Sequence, residues 1–70
     1  MPSHTEENYL KAIFSLNESG IGATTNAIAE KLETKASSVS DMLKRLKEKK
    51  LIHYKKYQAV NLSEEGKKVA

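Results

Sequence analysis

The stretch "IAEKLETKASSVSDMLKRL" limits the possible folds more than any other part of the chain. Ala27, Ile28 and Leu32 mark one face of a short helix, with Thr24 or Thr25 ahead of it as a cap. Ala36, Val39, Met42, Leu43 and Leu46 fall within one stripe of another helix when residues advance by about 100°. Only "TKA" separates the two. Two short helices joined by three or four residues form a helix-turn-helix.

The flanking segments supply a third helix and a hairpin. Residues 5 to 19 carry Tyr9, Leu10, Ile13, Phe14 and Leu16 at helical spacing, with Thr5 as N-cap and Glu6 and Glu7 where the helix dipole favours acids. "ESGIG" ends that helix, Gly20 and Gly22 giving the open backbone a tight connection needs. From Leu51 the period becomes two: Ile52 and Tyr54, then Val60 and Leu62, alternate around the polar centre "KKYQ". This reads as a small β-hairpin, and without Gly in its turn a connection longer than two residues is expected. Ser63 caps a last helix whose first turn holds Glu64 and Glu65, and in which Val69 has no evident apolar partner. The expected class is mainly α with a small β-hairpin, a three-helix core plus a wing.

Seventy residues at 39% apolar allow one domain, residues 1–70, with one core contributing on the order of 3–5 kcal/mol net. The last helix starts with proper signals and stops abruptly, which suggests the N-terminal part of a longer chain. The absence of cysteine excludes disulfides, thiolate metal sites and a cysteine nucleophile. With no basic leader and no apolar run of roughly 18 residues, a cytoplasmic protein is expected. His4 and His53 lie far apart without partner ligands, Glu6-Glu7 and Glu64-Glu65 suit helix N-termini, and no catalytic triad or phosphate loop is evident. No enzyme is expected.

Charge is unevenly placed. Residues 35 to 56 hold eight basic side chains and two acids, a net +6, whereas the rest holds four basic residues and seven acids, a net −3. A cationic segment on a mildly acidic body is the pattern of a nucleic-acid-binding surface. On the third helix Ser37, Asp41, Lys44 and Glu48 point about 140–200° away from Val39. Short polar side chains there let a helix enter a DNA major groove closely. The free N–H groups of the first turn, beside Ser37 and Ser38, can take a phosphate. Asp41 has two readings of equal weight: an acceptor for cytosine N4, or a surface acid, solvated or paired with Lys44 or Arg45. The lysine run 44 to 50, with Lys55 and Lys56 on the hairpin tip, is expected to meet phosphates.

In order and spacing, "TEENYLKAIFSL", "TTNAIAEKLETKASSVSDMLKRLKEKKLI" and "VNLSEEGKKVA" resemble the N-terminal winged-helix domain of the diphtheria toxin repressor and manganese transport regulator family. The resemblance implies a homodimeric repressor that binds palindromic double-stranded operators when loaded with manganese or ferrous iron. It implies that Lys35, Ser37 and Asp41 face bases, that Ser38, Ser40 and Lys44 hold phosphates, and that Lys56 and Gln58 serve from the wing. The family's first-helix metal ligand falls on Asn8, where methionine or aspartate is usual, and the manganese branch's extra carboxylate falls on Lys11. An amide is a poor ligand and a lysine is none at neutral pH. Most other ligands and the dimerisation helices would follow Ala70, so this chain alone is expected to hold no metal. The alternative function is a winged-helix module whose basic face binds an acidic protein surface.

Overall fold

Short hydroxyl side chains close the first turns of three helices in the computed structural model, which describes residues 3–54 and 59–69. The elements run α1 (His4–Glu18), α2 (Thr25–Leu32), α3 (Ala36–Glu48), β1 (Ile52–His53), β2 (Asn61–Leu62) and α4 (Glu64–Val69). The Thr24 hydroxyl accepts from the Ala27 N–H at 3.1 Å, and Ser63 Oγ accepts from Gly66 N–H at 3.1 Å, as expected for both. For α1 the cap is Ser3 rather than Thr5. Ser3 Oγ accepts from Glu6 N–H while Glu6 Oε1 accepts from Ser3 N–H, a reciprocal capping box two residues ahead of the expected cap.

Helices α1, α2 and α3 enclose the core, with Leu10, Ile13, Ile28, Val39, Leu43 and Leu46 fully buried. Two expected core members lie outside it. Phe14 is 46% exposed, because it falls on the flank of α1 beside the stripe of Leu10 and Ile13. Ala36 is exposed, as the first residue of α3 it precedes the turn at which that helix reaches the core. Val69, by contrast, is half-buried against the core.

The hairpin pairs antiparallel in the register Ile52↔Leu62 and His53↔Asn61, which makes the connection longer than two residues, as expected. Its tip, including Lys55, Lys56 and Gln58, lies outside the described residues. Ile52, Val60 and Leu62 are buried and Tyr54 is half-buried, so the period of two served its purpose. A further bridge, Ala23↔Val60, adds the segment before α2 to the root of the hairpin. Asn17 holds this junction: its Nδ2 donates to Val60 C=O at 3.0 Å and its Oδ1 accepts from Ala23 N–H at 3.2 Å. Gly20 and Gly22 both have positive φ between α1 and that bridge. Among the described residues no helix is long and apolar enough to cross a membrane.

Glu6 is the largest departure from expectation. Expected only as a first-turn partner of the helix dipole, it is buried, and its carboxylate meets the ammonium of Lys49 from the far end of α3. Lys49 Nζ donates to Oε1 at 2.9 Å and lies 2.7 Å from Oε2. Oε2 receives no hydrogen bond of good direction, so charge alone holds it. The Lys49 hydrogen bond and the Ser3 N–H bring the Glu6 carboxyl from 4.5 down to about 2, outweighing the burial that pushes it up. With one partner 45% exposed, removing the pair costs about 1–3 kcal/mol, below the loss for a fully buried one.

Two measurements follow from these contacts. Because the folded Glu6 carboxyl titrates lower than the unfolded one, its stabilisation is complete above pH 4.5 and disappears as the pH falls toward 2. Melting temperature should therefore drop across that interval in the parent protein, and less so in Glu6→Gln, which starts lower at neutral pH. Gly66 faces Leu51, and a Cβ there would collide with the Leu51 carbonyl oxygen. Gly66→Ala should cost about 1–3 kcal/mol in a denaturation experiment, since backbone on both sides must move.

Candidate nucleic-acid interface

Helix α3 is rotated so that one arc faces the core and the opposite arc faces solvent. Val39, Leu43 and Leu46 are buried and Met42 is half-buried, while Ser37, Ser38, Ser40, Asp41, Lys44, Arg45, Lys47 and Glu48 are exposed. Lys35, Ser37, Ser38, Ser40, Asp41 and Lys44 are all accessible at the front of α3, with Lys35 immediately ahead of it. Lys56 and Gln58 lie outside the described residues and take no part in this geometry.

The turn that leads into α3 is built from backbone bonds. Thr34 N–H donates to Ala29 C=O at 2.9 Å and Glu33 N–H to Glu30 C=O at 3.3 Å, the double bond of a left-handed helix terminus. Glu33 takes that left-handed conformation at φ 54, where glycine would be unstrained. The chain reverses within three residues and Lys35 becomes the N-cap of α3.

No side chain caps α3, in contrast to Ser3 on α1, Thr24 on α2 and Ser63 on α4. The first amide to find a helical acceptor is Val39 N–H, bonded to Lys35 C=O at 3.1 Å. The N–H groups ahead of it have no side-chain cap, and the exposed Ser37 and Ser38 belong to the same turn. An open helix start with positive partial charge, two hydroxyl donors and a lysine is chemically suited to phosphate oxygens.

Asp41 stands one turn further along, exposed, and makes no ion pair with Lys44 or Arg45. Among the described residues the single ion pair is Lys49 with Glu6. That pair corrects the expectation for the lysine run 44 to 50: Lys49 is held on the α1 side of the molecule and is withdrawn from the cationic surface. Residue type and helical period place Glu6 and Lys49 on their own helices, but no pattern joins two residues 43 positions apart.

The residues that the resemblance assigns to metal lie on α1, away from α3's polar arc. Asn8 and Lys11 are exposed, and Asn8 borders a shallow cleft with Thr5, Tyr9, Leu32 and Thr34. That donor set comprises one amide oxygen and the hydroxyls of Thr5, Tyr9 and Thr34, and it does not fit Mn²⁺ or Fe²⁺, which seek carboxylate and imidazole. Among the described residues no three His, Cys, Asp or Glu side chains converge.

Residues 1–60 match the model of the iron dependent repressor N-terminal DNA-binding domain. The chain is 38% identical over 99% of its length to the HTH-type transcriptional regulator MntR of Oceanobacillus iheyensis, covering 47% of it. The MntR of Geobacillus thermodenitrificans is 35% identical over 99% of the chain, which covers 49% of that protein. The chain therefore spans about half the length of these curated relatives. Among solved structures, a mutant of MepR from a multidrug-resistant S. aureus clinical isolate superposes with a TM-score of 0.81 at 28% identity, over 97% of this chain and 51% of that one. The architecture of core and hairpin is thus a winged helix-turn-helix.

Proposed function

The chain belongs to the iron-dependent repressor family as its N-terminal DNA-binding domain, and from that premise we propose that α3 reads a specific duplex sequence for a metal-responsive transcriptional repressor. The observation that carries the reading is the arc of Ser37, Asp41 and Lys44, exposed, rich in short side chains, and opened at its front by an uncapped first turn.

In this reading α3 enters the major groove by its N-terminal half, where serine side chains allow close approach. Ser37, Asp41 and Lys35 face base edges. The Asp41 carboxylate, repelled by phosphate and unpaired within the described residues, is accommodated by donating bases such as cytosine through N4. Ser38 and Ser40 with Lys44 hold phosphates beside the groove, and Lys56 and Gln58 extend the contact from the wing. A serine offers a hydroxyl donor of fixed reach, while Lys44 supplies the charge that releases counterions.

The whole protein acts as a homodimer on an inverted-repeat operator in the cytoplasm. Its response to manganese or ferrous iron belongs to residues outside these seventy, because Asn8 and Lys11 offer no adequate donors here. The support for this division is the length of the MntR relatives, about twice that of the chain, together with the chemistry of α1.

Selection of bound duplexes from a random pool should yield an inverted repeat. Against the selected duplex, Lys44→Ala should weaken binding about equally for matched and scrambled sequences and reduce the salt slope by about 1. Asp41→Ala should instead relax discrimination at one base pair by about 1–3 kcal/mol. Unchanged binding by the Lys44 variant at every salt concentration would reject this docking, and the absence of duplex binding would favour an acidic protein as partner.

A further inference from the structure

The two ends of α3 are held in different ways. At its front the chain arrives from a tight turn closed by backbone bonds, and no side chain between Ala36 and Glu48 makes a hydrogen bond or ion pair among the described residues. At its rear two polar ties converge. Ser63 Oγ donates to Lys50 C=O at 2.8 Å and Ser63 N–H to Leu51 C=O at 3.0 Å, which fastens the exit of α3 to the start of α4. Lys49 Nζ reaches across to Glu6 on α1.

Glu6 makes a firm anchor. Its Oε1 accepts from Ser3 N–H and from Lys49 Nζ, each at 2.9 Å, so the carboxylate that closes the first turn of α1 also receives the end of α3. It is 3% exposed and cannot swing aside without opening the capping box. Lys49 is thus bound to a group fixed in the body of the protein, through a charge-assisted hydrogen bond of defined direction.

The reach of this tie follows from the length of the helix. Between Lys49 and Ser37 α3 rises about 18 Å, with the buried Leu43 midway. A rod resting on Leu43 moves its front by as much as its rear, in the opposite direction. A slip of about 1 Å at Lys49 would therefore carry Ser37 about 1 Å off its mark, whereas a binding group must be held within about 0.5 Å of its productive position.

Resting on the DNA-binding reading above, we propose that Glu6 and Lys49 are positioning residues for base recognition: their ion pair fixes the inclination of α3, and so decides how selectively Ser37 and Asp41 read bases that neither member of the pair touches. The pair supplies no phosphate contact. Its effect falls on discrimination between duplexes, not on the affinity common to all of them.

The test measures Glu6→Gln, Lys49→Met and Lys49→Arg on the selected duplex and on a scrambled one across a salt series, each variant well below its own melting temperature. Glutamine keeps the reciprocal bond of the capping box, so Glu6→Gln removes the charge without removing the helix start. Glu6→Gln and Lys49→Met should each lower the ratio of selected to scrambled affinity by about tenfold, the equivalent of one misplaced base contact, and leave binding of the scrambled duplex in place. Lys49→Arg, which keeps charge and donor, should retain the parent's ratio. If Glu6→Gln and Lys49→Met melt earlier yet discriminate as the parent does, the pair is a stabiliser alone and the inference is rejected while the DNA-binding reading stands. If Lys49→Met weakens both duplexes by one factor with a shallower salt slope and Glu6→Gln changes neither ratio nor slope, Lys49 is a phosphate contact and the positioning role is likewise rejected. A parent protein that binds neither duplex would overturn the inference and the DNA-binding reading together.

Discussion

Everything the surface of this domain offers depends on how α3 is rotated about its own axis. Burial of Val39, Leu43 and Leu46 leaves one arc of that helix free, and the serines, Asp41 and Lys44 occupy it. Each fully buried aliphatic side chain contributes about 1.5–3 kcal/mol relative to exposure. A turn of the helix by one residue position would bring serines into the core and expose leucines. Rotation is thereby set by apolar burial, and the reading face is its by-product.

Tilt is set differently. Glu6 and Lys49 join the start of α1 to the end of α3, with both carboxylate oxygens within 3 Å of one ammonium. A core of aliphatic side chains tolerates small slides between helices, whereas an ion pair with a directed hydrogen bond does not. The contact also divides the basic segment into two populations. Lys49 is tied to Glu6, whereas Lys35, Lys44, Lys47 and Lys50 make no ion pair among the described residues. Net charge counted along the chain therefore overstates what a polyanion meets.

The order of helices, the short turn and the hairpin were legible because each rests on local periodicity, caps and turn residues. Thr24 and Ser63 were found as caps for that reason, and the polar arc of α3 follows directly from the helical period. What escaped were contacts between residues distant in sequence. Glu6 looks like any first-turn acid until Lys49 is brought to it. The Ala23↔Val60 bridge joins the hairpin to a segment that carries no strand pattern of its own. The cap at Ser3 was missed in favour of Thr5, although Ser3 stands three residues ahead of Glu6, the spacing of a capping box.

Asn17 links the loop before α2 to the root of the hairpin by donating with one atom and accepting with the other. A carboxylate of equal size would set oxygen against the Val60 carbonyl, and an aliphatic side chain would leave both backbone groups unanswered. The angle at which the root of the wing stands is consequently inherited from α1. Lengthening the glycine loop by a single residue would swing the hairpin like a gate on a displaced hinge post, altering the span between wing and reading helix while leaving every residue of both unchanged.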